Sequence, residues 1–475
     1  MTDAPTIVWF RDDLRVADNP ALHRAVELGN PIIPVYILDE QSPELRPLGA
    51  ATKWWLHHSL TRLQEELEKL GSPLILRRGA ADTIIREIAG DTSAGAVVWN
   101  RRYGKPRFLD QRLKQSLIAD GIAAESFSAN VLYEPWTITN KQGNPFQVFT
   151  PFWKACVASG DPRDVLPAPA RVPGGVSVDS EDLDSWQLLP TSPDWSAGLN
   201  DSWTPGEAGA HHRLHDFLDN GLEIYHLRDE PATPATSRLS PHLRFGEISP
   251  VQIWHAAMAQ AGSPKNRDKF LSEVGWREFS ISILFHRPDV YENNLKADFN
   301  NFPWTTPDAD TLRRWQRGTT GIPLVDAGMR ELWHTGYMHN RVRMVAASFL
   351  IKNLLVDWRI GEAWFWDTLV DADEANNPAS WQWVAGSGAD AAPYFRVFNP
   401  ITQAERFDGN GAYLDQWVPE RNTPDYPAPM VDVGESRVQA LAAYDTMKAL
   451  RPTAQQPGPT APSQSEQLTQ PNFLH

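Results

Sequence analysis

TIVWFRDDLRVADNPALHRAVELGNPIIPVYILD, residues 6–39, decides the fold of the first part of this chain. It opens with a β-branched and aromatic run, TIVWF (6–10), passes into a helical pattern from Asn19 to Leu28, and returns to an apolar run, PIIPVYILD (31–39). Apolar runs without polar alternation suit strands buried on both faces. A helix between two such runs carries the chain back to start a parallel neighbour by a right-handed crossover. The pattern continues outward in SPLILRR (72–78), AVVWN (96–100) and AESFSAN (124–130), separated by helical stretches at Lys53–Leu70, Asp82–Ala89 and Phe108–Asp120. Gly29, Gly71, Gly90 and Gly121 stand where helix C-caps are expected, because the left-handed conformation that ends a helix favours glycine. Residues 1–133 therefore read as an α/β domain with a parallel five-stranded Rossmann-like sheet, whose ligand crevice belongs at the carboxyl ends of the strands. WFRDDLR follows the first strand in place of G-x-G-x-x-G, so the usual dinucleotide fingerprint is absent and the ligand stays open.

Residues 134–206 read as an inter-domain connector. DPRDVLPAPARVPGG (161–175) and the Pro, Ser, Asp and Gly after it lack sustained periodicity, while Trp186, Trp195 and Trp203 imply that parts of it pack on a surface. From His211 the pattern is helical, with candidate helices at 208–219, 250–261, 267–286, 310–317, 323–335, 339–355, 361–369 and 436–448. A large all-α domain over 207–450 is expected, followed by a Pro-, Gln- and Ser-rich flexible tail over 451–475.

At 475 residues the chain is too long for one ordinary core, and 41% hydrophobic with 22% charged residues is a globular composition. A formal charge of -15 excludes uniformly basic nucleic-acid binding, though not a local basic groove. The single cysteine, Cys156, excludes an intramolecular disulfide and any zinc or iron–sulfur site built on several thiolates, and no metal is expected. The start, MTDAPTIVWFRDDLR, lacks a signal-peptide pattern, and no apolar run reaches membrane-span length; a soluble, cytoplasmic protein is expected. The 20 Trp either fill a large core or serve stacking and electron transfer, and their positions have to decide.

Three segments carry candidate chemistry. TSRLS (236–240) offers hydroxyls, a guanidinium and backbone amides suited to a pyrophosphate, or to an ordinary capping loop. GYMHNRVRM (336–344) puts Asn340, Arg343 and Met344 on one helix face. A cation in an apolar helix needs a partner, and DADEANNPASWQW (371–383) supplies Asp371 and Asp373, with Asn376, Asn377, Trp381 and Trp383 forming an amide- and aromatic-rich pocket for a flat heterocycle. SEVGWREF (272–279) follows the cations Lys265, Arg267 and Lys269; counting Arg238, Arg244 and Arg277, the stretch 238–277 is locally positive, which suits phosphate contacts with Trp276 for stacking.

WFRDDLRVADNPAL (9–22), TSRLSPHLRFGEIS (236–249), GWREF (275–279), VDAGMREL (325–332), TGYMHNRVRM (335–344) and DADEANNPASWQWVAGSGADAAPYFRVFNP (371–400) together resemble the photolyase/cryptochrome family over about residues 5–430, in particular its DNA photolyases. VDAGMRELW and WFWDTLVDAD are similar to the class III branch that neighbours plant cryptochromes. The resemblance implies an antenna domain followed by a helical domain holding FAD. Carried over residue by residue, Tyr225, Thr236, Ser237, Arg238, Leu239 and Ser240 meet the FAD phosphates and ribityl, and Phe270 takes a place usually held by Trp. Asn340, Arg343, Asp371, Ala372 and Asp373 ring the isoalloxazine, with Arg343 paired to Asp371, Arg277 in the same set, and Asn377 facing N5.

The implied reaction is light-driven electron transfer from reduced FAD to a cyclobutane pyrimidine dimer flipped out of damaged DNA. Glu273 is then expected to hydrogen-bond the damaged bases, Trp276 and Trp383 to pack on the dimer and Met344 to touch it, with Arg228, Arg277, Asn340 and Gln403 also on the DNA side. Trp381, Trp358 and Trp304 match the family's photoreduction chain. A (6-4) photolyase carries two histidines where Asn340 and Met344 stand, and a plant cryptochrome typically has Asp at the position of Asn377. The resemblance thus implies dimer repair, with a cryptochrome-like blue-light sensor as the alternative. For the antenna it favours folate (methenyltetrahydrofolate) over a deazaflavin, in a monomer.

Overall fold

The computed structural model describes residues 4–391 and 395–450; the expected tail, 451–475, lies outside them. Strands β1 (Thr6–Phe10), β2 (Ile32–Leu38), β3 (Ile75–Arg78), β4 (Ala96–Asn100) and β5 (Ala123–Phe127) form one all-parallel sheet in the order β3-β2-β1-β4-β5. Helices α1 (Pro20–Leu28), α2 (Ala50–Leu70), α3 (Ala81–Asp91) and α4 (Pro106–Ala119) connect them. Every residue of β1, β2 and β4 is buried, and the period of two sorts their side chains onto two cores. Ile7, Trp9, Val35, Val97 and Trp99 pack on α3 and α4 through Ile85, Leu109 and Leu113. Val8, Phe10, Tyr36 and Val98 pack on α1 and α2 through Leu22, Trp54 and Trp55. After β3 the chain returns to pair β4 with β1, so the strand order reverses there and a crevice opens beyond the carboxyl ends of the strands.

Gly29 and Gly71 cap α1 and α2 in the left-handed conformation, and Gly121, also left-handed, follows α4. Gly90 does not cap: α3 runs through it, and the left-handed residue is Ser93, with φ 52°. The backbone bond from Ala94 N–H to the Ala89 carbonyl closes that turn.

The remaining chain is helical: α5 (Phe149–Ala158), α6 (Ala197–Ser202), α7 (Glu207–Asp216), α8 (Ser240–Arg244), α9 (Pro250–Ala259), α10 (Pro264–His286), α11 (Ala309–Arg317), α12 (Pro323–Thr335), α13 (Asn340–Ser348), α14 (Trp358–Thr368), α15 (Asn376–Ala385), α16 (Pro400–Phe407), α17 (Ala412–Trp417) and α18 (Val433–Ala449). Helix α5 falls in the stretch expected to be connector; burial of Phe149 and Phe152 against Phe279 of α10 holds it. Trp186 and Trp203 in the same stretch are buried against Tyr36 and Trp55 of the first domain. The helix expected over 339–355 stops at Ser348, where a wider π-helical turn (Phe349–Asn353) begins. In that turn Lys352 is fully buried and donates to the Ala385 carbonyl at 2.8 Å.

The two domains meet through buried polar groups. Arg15 donates to the carbonyls of Asp18, Ala129 and Gly246, and Arg244 donates to Asp12 at 2.6 Å. Gly246 has φ +62°, and a Cβ there would lie 2.0 Å from the Asp12 carbonyl oxygen, so the approach requires glycine. No helix among the described residues is long and apolar enough to cross a membrane.

Candidate active site

Helix α13 begins on a histidine cap. His339 Nε2–H donates to the Arg228 carbonyl (2.9 Å), and Nδ1 accepts from the Arg341 amide (3.2 Å). An imidazole that must accept at Nδ1 is neutral, and burial pushes its pKa down to about 4. Between the ordinary value of 6.5 and about 4, the unfolded chain binds a proton that the folded chain refuses, so stability falls as pH drops through that window. The full traverse is worth about 3 kcal/mol. The melting temperature of wild type is expected to drop more between pH 7 and pH 5 than that of His339→Gln; equal slopes would assign the acid sensitivity elsewhere.

One turn further, the expected ion pair forms. Arg343 meets Asp371 in a two-pronged contact, Nη1 to Oδ1 at 3.0 Å and Nη2 to Oδ2 at 2.9 Å. Burial opposes the arginine's charge, but Asp371 outweighs it and holds its pKa above the ordinary value. The Ser240 hydroxyl donates to the same carboxylate at 2.6 Å, so Asp371 ties α13, the 236–240 loop and the 371–373 loop together. Asp373 is spent differently: it accepts from the amides of Ala375 and Asn376 and from the Asn376 side chain, shaping the entry to α15. Ala372 contributes its carbonyl to Arg244 Nε at 2.8 Å.

In the 236–240 loop Leu239 turns its side chain into the core, while Thr236 and Ser237 are half-buried. Arg238 takes a left-handed backbone, φ 52°, and lays its guanidinium over Trp203 and Tyr337, 4.4 and 5.1 Å from the ring centroids. Its Nε is buried without a hydrogen-bond partner. A buried charged donor left open beside serine hydroxyls fits a phosphate group. Tyr225 and Phe270 are buried edge to face, 5.6 Å apart, on Phe217.

Asn377 is buried and donates its side-chain amide to Glu362, at 2.8 Å to Oε1 and 3.2 Å to the main-chain carbonyl. Glu362 and its other partner, Arg46, are site residues that sequence reading missed; a contact between residues 316 positions apart leaves no local pattern.

On the same helix Asn340 is exposed and Met344 half-buried, with Asn340 Nδ2 4.0 Å from the Met344 sulfur. Trp276 stacks on Phe149 at 3.9 Å, and Trp383 lies 6.4 Å from Phe398. Glu273 pairs with Lys269 at 2.5 Å and with Arg228 at 3.8 Å. Gln403 has a buried Oε1 without a partner.

Arg277 departs from this group, because its guanidinium donates to the Asn130 carbonyl across the domain boundary at 2.7 Å. The local positive surface expected over 238–277 also shrinks. Arg238, Arg244 and Arg277 are turned inward, leaving Lys265, Arg267 and Lys269. Tertiary contacts consumed half of the charge that counting along the chain had assigned to a surface.

Trp381 and Trp358 are buried and Trp304 is half-buried. Gly361 of α14 admits the Trp381 ring: a Cβ there would stand 2.2 Å from Cη2. Trp358 starts the same helix, one turn earlier, with its indole N–H on Asn294 at 2.9 Å. Trp304 immediately precedes the bridge of Thr305 to Val356, two residues before Trp358.

The crevice at the strand-order reversal encloses about 180 Å³ between the domains, lined by Arg11, Asp12, Tyr36, Arg46, Arg102 and Glu374 among others. Burial pushes Glu374 up to about 7 and Arg11 down to about 10, and the Nε atoms of Arg11 and Arg102 are buried without partners.

Residues 6–172 match the family described as DNA photolyase, and residues 270–424 the family described as FAD binding domain of DNA photolyase. The chain is 49% identical to a deoxyribodipyrimidine photo-lyase of Agrobacterium fabrum, over 94% of this chain and 98% of that one. Cryptochrome-1 of Arabidopsis thaliana is 36% identical, over 93% of this chain and 70% of that protein. A bacterial class III photolyase structure from Agrobacterium tumefaciens superposes with a TM-score of 0.91 at 48% identity, covering 94% of this chain and 98% of that one.

Proposed function

The chain belongs to the photolyase/cryptochrome family, and we propose on that footing that it repairs cyclobutane pyrimidine dimers in DNA under light, as a carbon–carbon lyase carrying FAD. The observation that carries this reading is the forked Arg343–Asp371 pair, which the Ser240 hydroxyl ties to the 236–240 loop. When bound, reduced FAD supplies an electron to the lesion under light and takes it back once the ring has split.

The protein's own residues do the rest. Arg238, Ser237 and the loop amides hold the diphosphate; Arg343 and Asp371 fix the edge of the ring system. Trp276 and Trp383 offer flat faces to a flipped lesion, and Glu273 hydrogen-bonds its bases. Trp381, Trp358 and Trp304 relay electrons between the surface and the flavin. The neutral amide of Asn377 and the presence of Trp383 favour repair over a sensing role. Irradiating the reduced protein with a dimer-containing oligonucleotide tests this: recovery of thymine absorbance is expected, and none would leave the cryptochrome-like reading in its place.

We assign the antenna pigment to the interdomain crevice, with folate ahead of a deazaflavin on branch resemblance, in a cytoplasmic monomer. The open Nε atoms of Arg11 and Arg102 support an anionic or carbonyl-rich ligand there. The absorption spectrum of chromophores released by denaturation distinguishes the two pigments.

Stacking on a flipped base is worth about 1–3 kcal/mol, so Trp276→Ala is expected to weaken damaged DNA roughly 5- to 150-fold and leave undamaged DNA unchanged. Lys265→Ala should instead weaken both and flatten the salt dependence of binding, because it removes a phosphate contact and its released counterion. Titrations at several salt concentrations check both; an unchanged slope for Lys265→Ala would put the DNA on another face.

A further inference from the structure

Glu362, on α14, is 2% exposed and its carboxylate is engaged from two sides. From the antenna domain, Arg46 donates Nη1–H to Oε1 at 2.7 Å and Nη2–H to Oε2 at 2.8 Å. Asn377 donates Nδ2–H to Oε1 and to the Glu362 carbonyl, which commits both hydrogens of its amide. The reverse amide orientation would set Oδ1 against two acceptor oxygens, so Oδ1 is left as the open polar atom. A forked pair holds the carboxylate in one plane, which a single contact would not do.

Arg46 is itself fixed. Its guanidinium lies 3.9 Å over the Trp366 ring, and Trp366 Nε1–H donates to the Pro47 carbonyl at 2.8 Å. The Ala50 amide donates to Asp367 at 2.9 Å, and a Cβ on Gly49 would stand 2.1 Å from the Trp366 carbonyl oxygen. The 46–50 segment is thus pressed onto α14 without room for a side chain at 49. The same guanidinium also lines the interdomain crevice.

We propose that Arg46 is a positioning residue acting across the domain boundary: through Glu362 it fixes the Asn377 amide with Oδ1 turned to the flavin N5 edge, so that the antenna domain helps set the flavin's redox preference. This rests on the reading that Asn377 faces N5. An acceptor oxygen held there favours reduced flavin, which carries a hydrogen at N5, over oxidised flavin, whose N5 presents a lone pair. Loosening the carboxylate lets the amide rotate and relaxes that preference.

The test uses holoprotein and compares wild type, Arg46→Lys, Arg46→Ala, Glu362→Gln and Asn377→Ala. FAD content and melting temperature are the controls, and the readout is the reduced-to-oxidised flavin ratio at a fixed applied potential. Arg46→Ala and Glu362→Gln are expected to shift the ratio about tenfold toward oxidised flavin, the size of one charge-assisted hydrogen bond, with Arg46→Lys between them and wild type. Adding Arg46→Ala to Asn377→Ala should shift it no further, because both act through one amide. Should Arg46→Ala fail to hold FAD, Arg46→Lys decides, since it keeps the charge and breaks the fork. A wild-type ratio in Arg46→Lys beside a shifted Asn377→Ala would overturn the relay. If Asn377→Ala itself stays at the wild-type ratio, its placement at N5 fails and the relay with it.

Discussion

Arg343→Ala is expected to purify without FAD and to melt several degrees below wild type. The substitution removes both prongs from Asp371, whose side chain is 4% exposed, and leaves Ser240 as its remaining hydrogen-bond donor among those described above. Stripping one partner from a buried pair costs about 3–5 kcal/mol. The Arg343 side chain is 23% exposed, which places the expected loss near the lower end. About 3 kcal/mol corresponds to roughly a hundredfold in FAD affinity. Arg343→Lys keeps the charge but cannot form the fork, and its losses should be intermediate. The measurements are the flavin-to-protein absorbance ratio and the thermal midpoint. Stoichiometric FAD with an unchanged midpoint in Arg343→Ala would show that the pair does not organise the pocket.

Trp358→Phe is expected to abolish photoreduction of oxidised FAD while repair by chemically reduced enzyme continues. Phenylalanine nearly preserves the volume of a fully buried site, but its ring is far harder to oxidise than an indole. It also strands the Asn294 oxygen that Trp358 satisfies at 2.9 Å, a penalty of about 1–3 kcal/mol that lowers stability without touching the lesion side. A light-driven time course of flavin absorbance, run beside a repair assay on dithionite-reduced protein, separates the two. Loss of both activities with FAD still bound would make Trp358 a packing residue and remove it from the relay.

The crossovers of residues 6–127 were legible because burial on both faces leaves an unbroken apolar signature in each strand, and the strands arrive where that signature placed them. The need of Arg343 for an anion was legible because a cation in an apolar helix demands one, but that argument offered Asp371 and Asp373 alike; the resemblance singled out Asp371, and the structure joins it to Arg343. Helix α5 was not legible: its periodicity is weak, and Phe149 and Phe152 are helical because α10 offers them a surface. The break at Ser348 was hidden for the same reason, since the carbonyl that receives Lys352 belongs to Ala385, on another helix.

The two-domain α/β-then-helical architecture and the family are written in the chain itself, because they rest on local periodicity and on long ordered motifs. Which charges are spent inside depends on contacts that form only in the folded molecule. Arg238 lies over Trp203 and Tyr337, Arg244 reaches Asp12 and Arg277 reaches Asn130, although counting along the chain put all three in one locally positive stretch. Arg46 and Glu362 likewise become neighbours only when the N-terminal α/β domain docks on α14. For Arg46, Arg244 and Arg277 the physical reason is shared. A guanidinium's preference for water is overturned by a precise arrangement of acceptors, and those acceptors come from segments far apart in the chain that the fold alone brings within 3 Å.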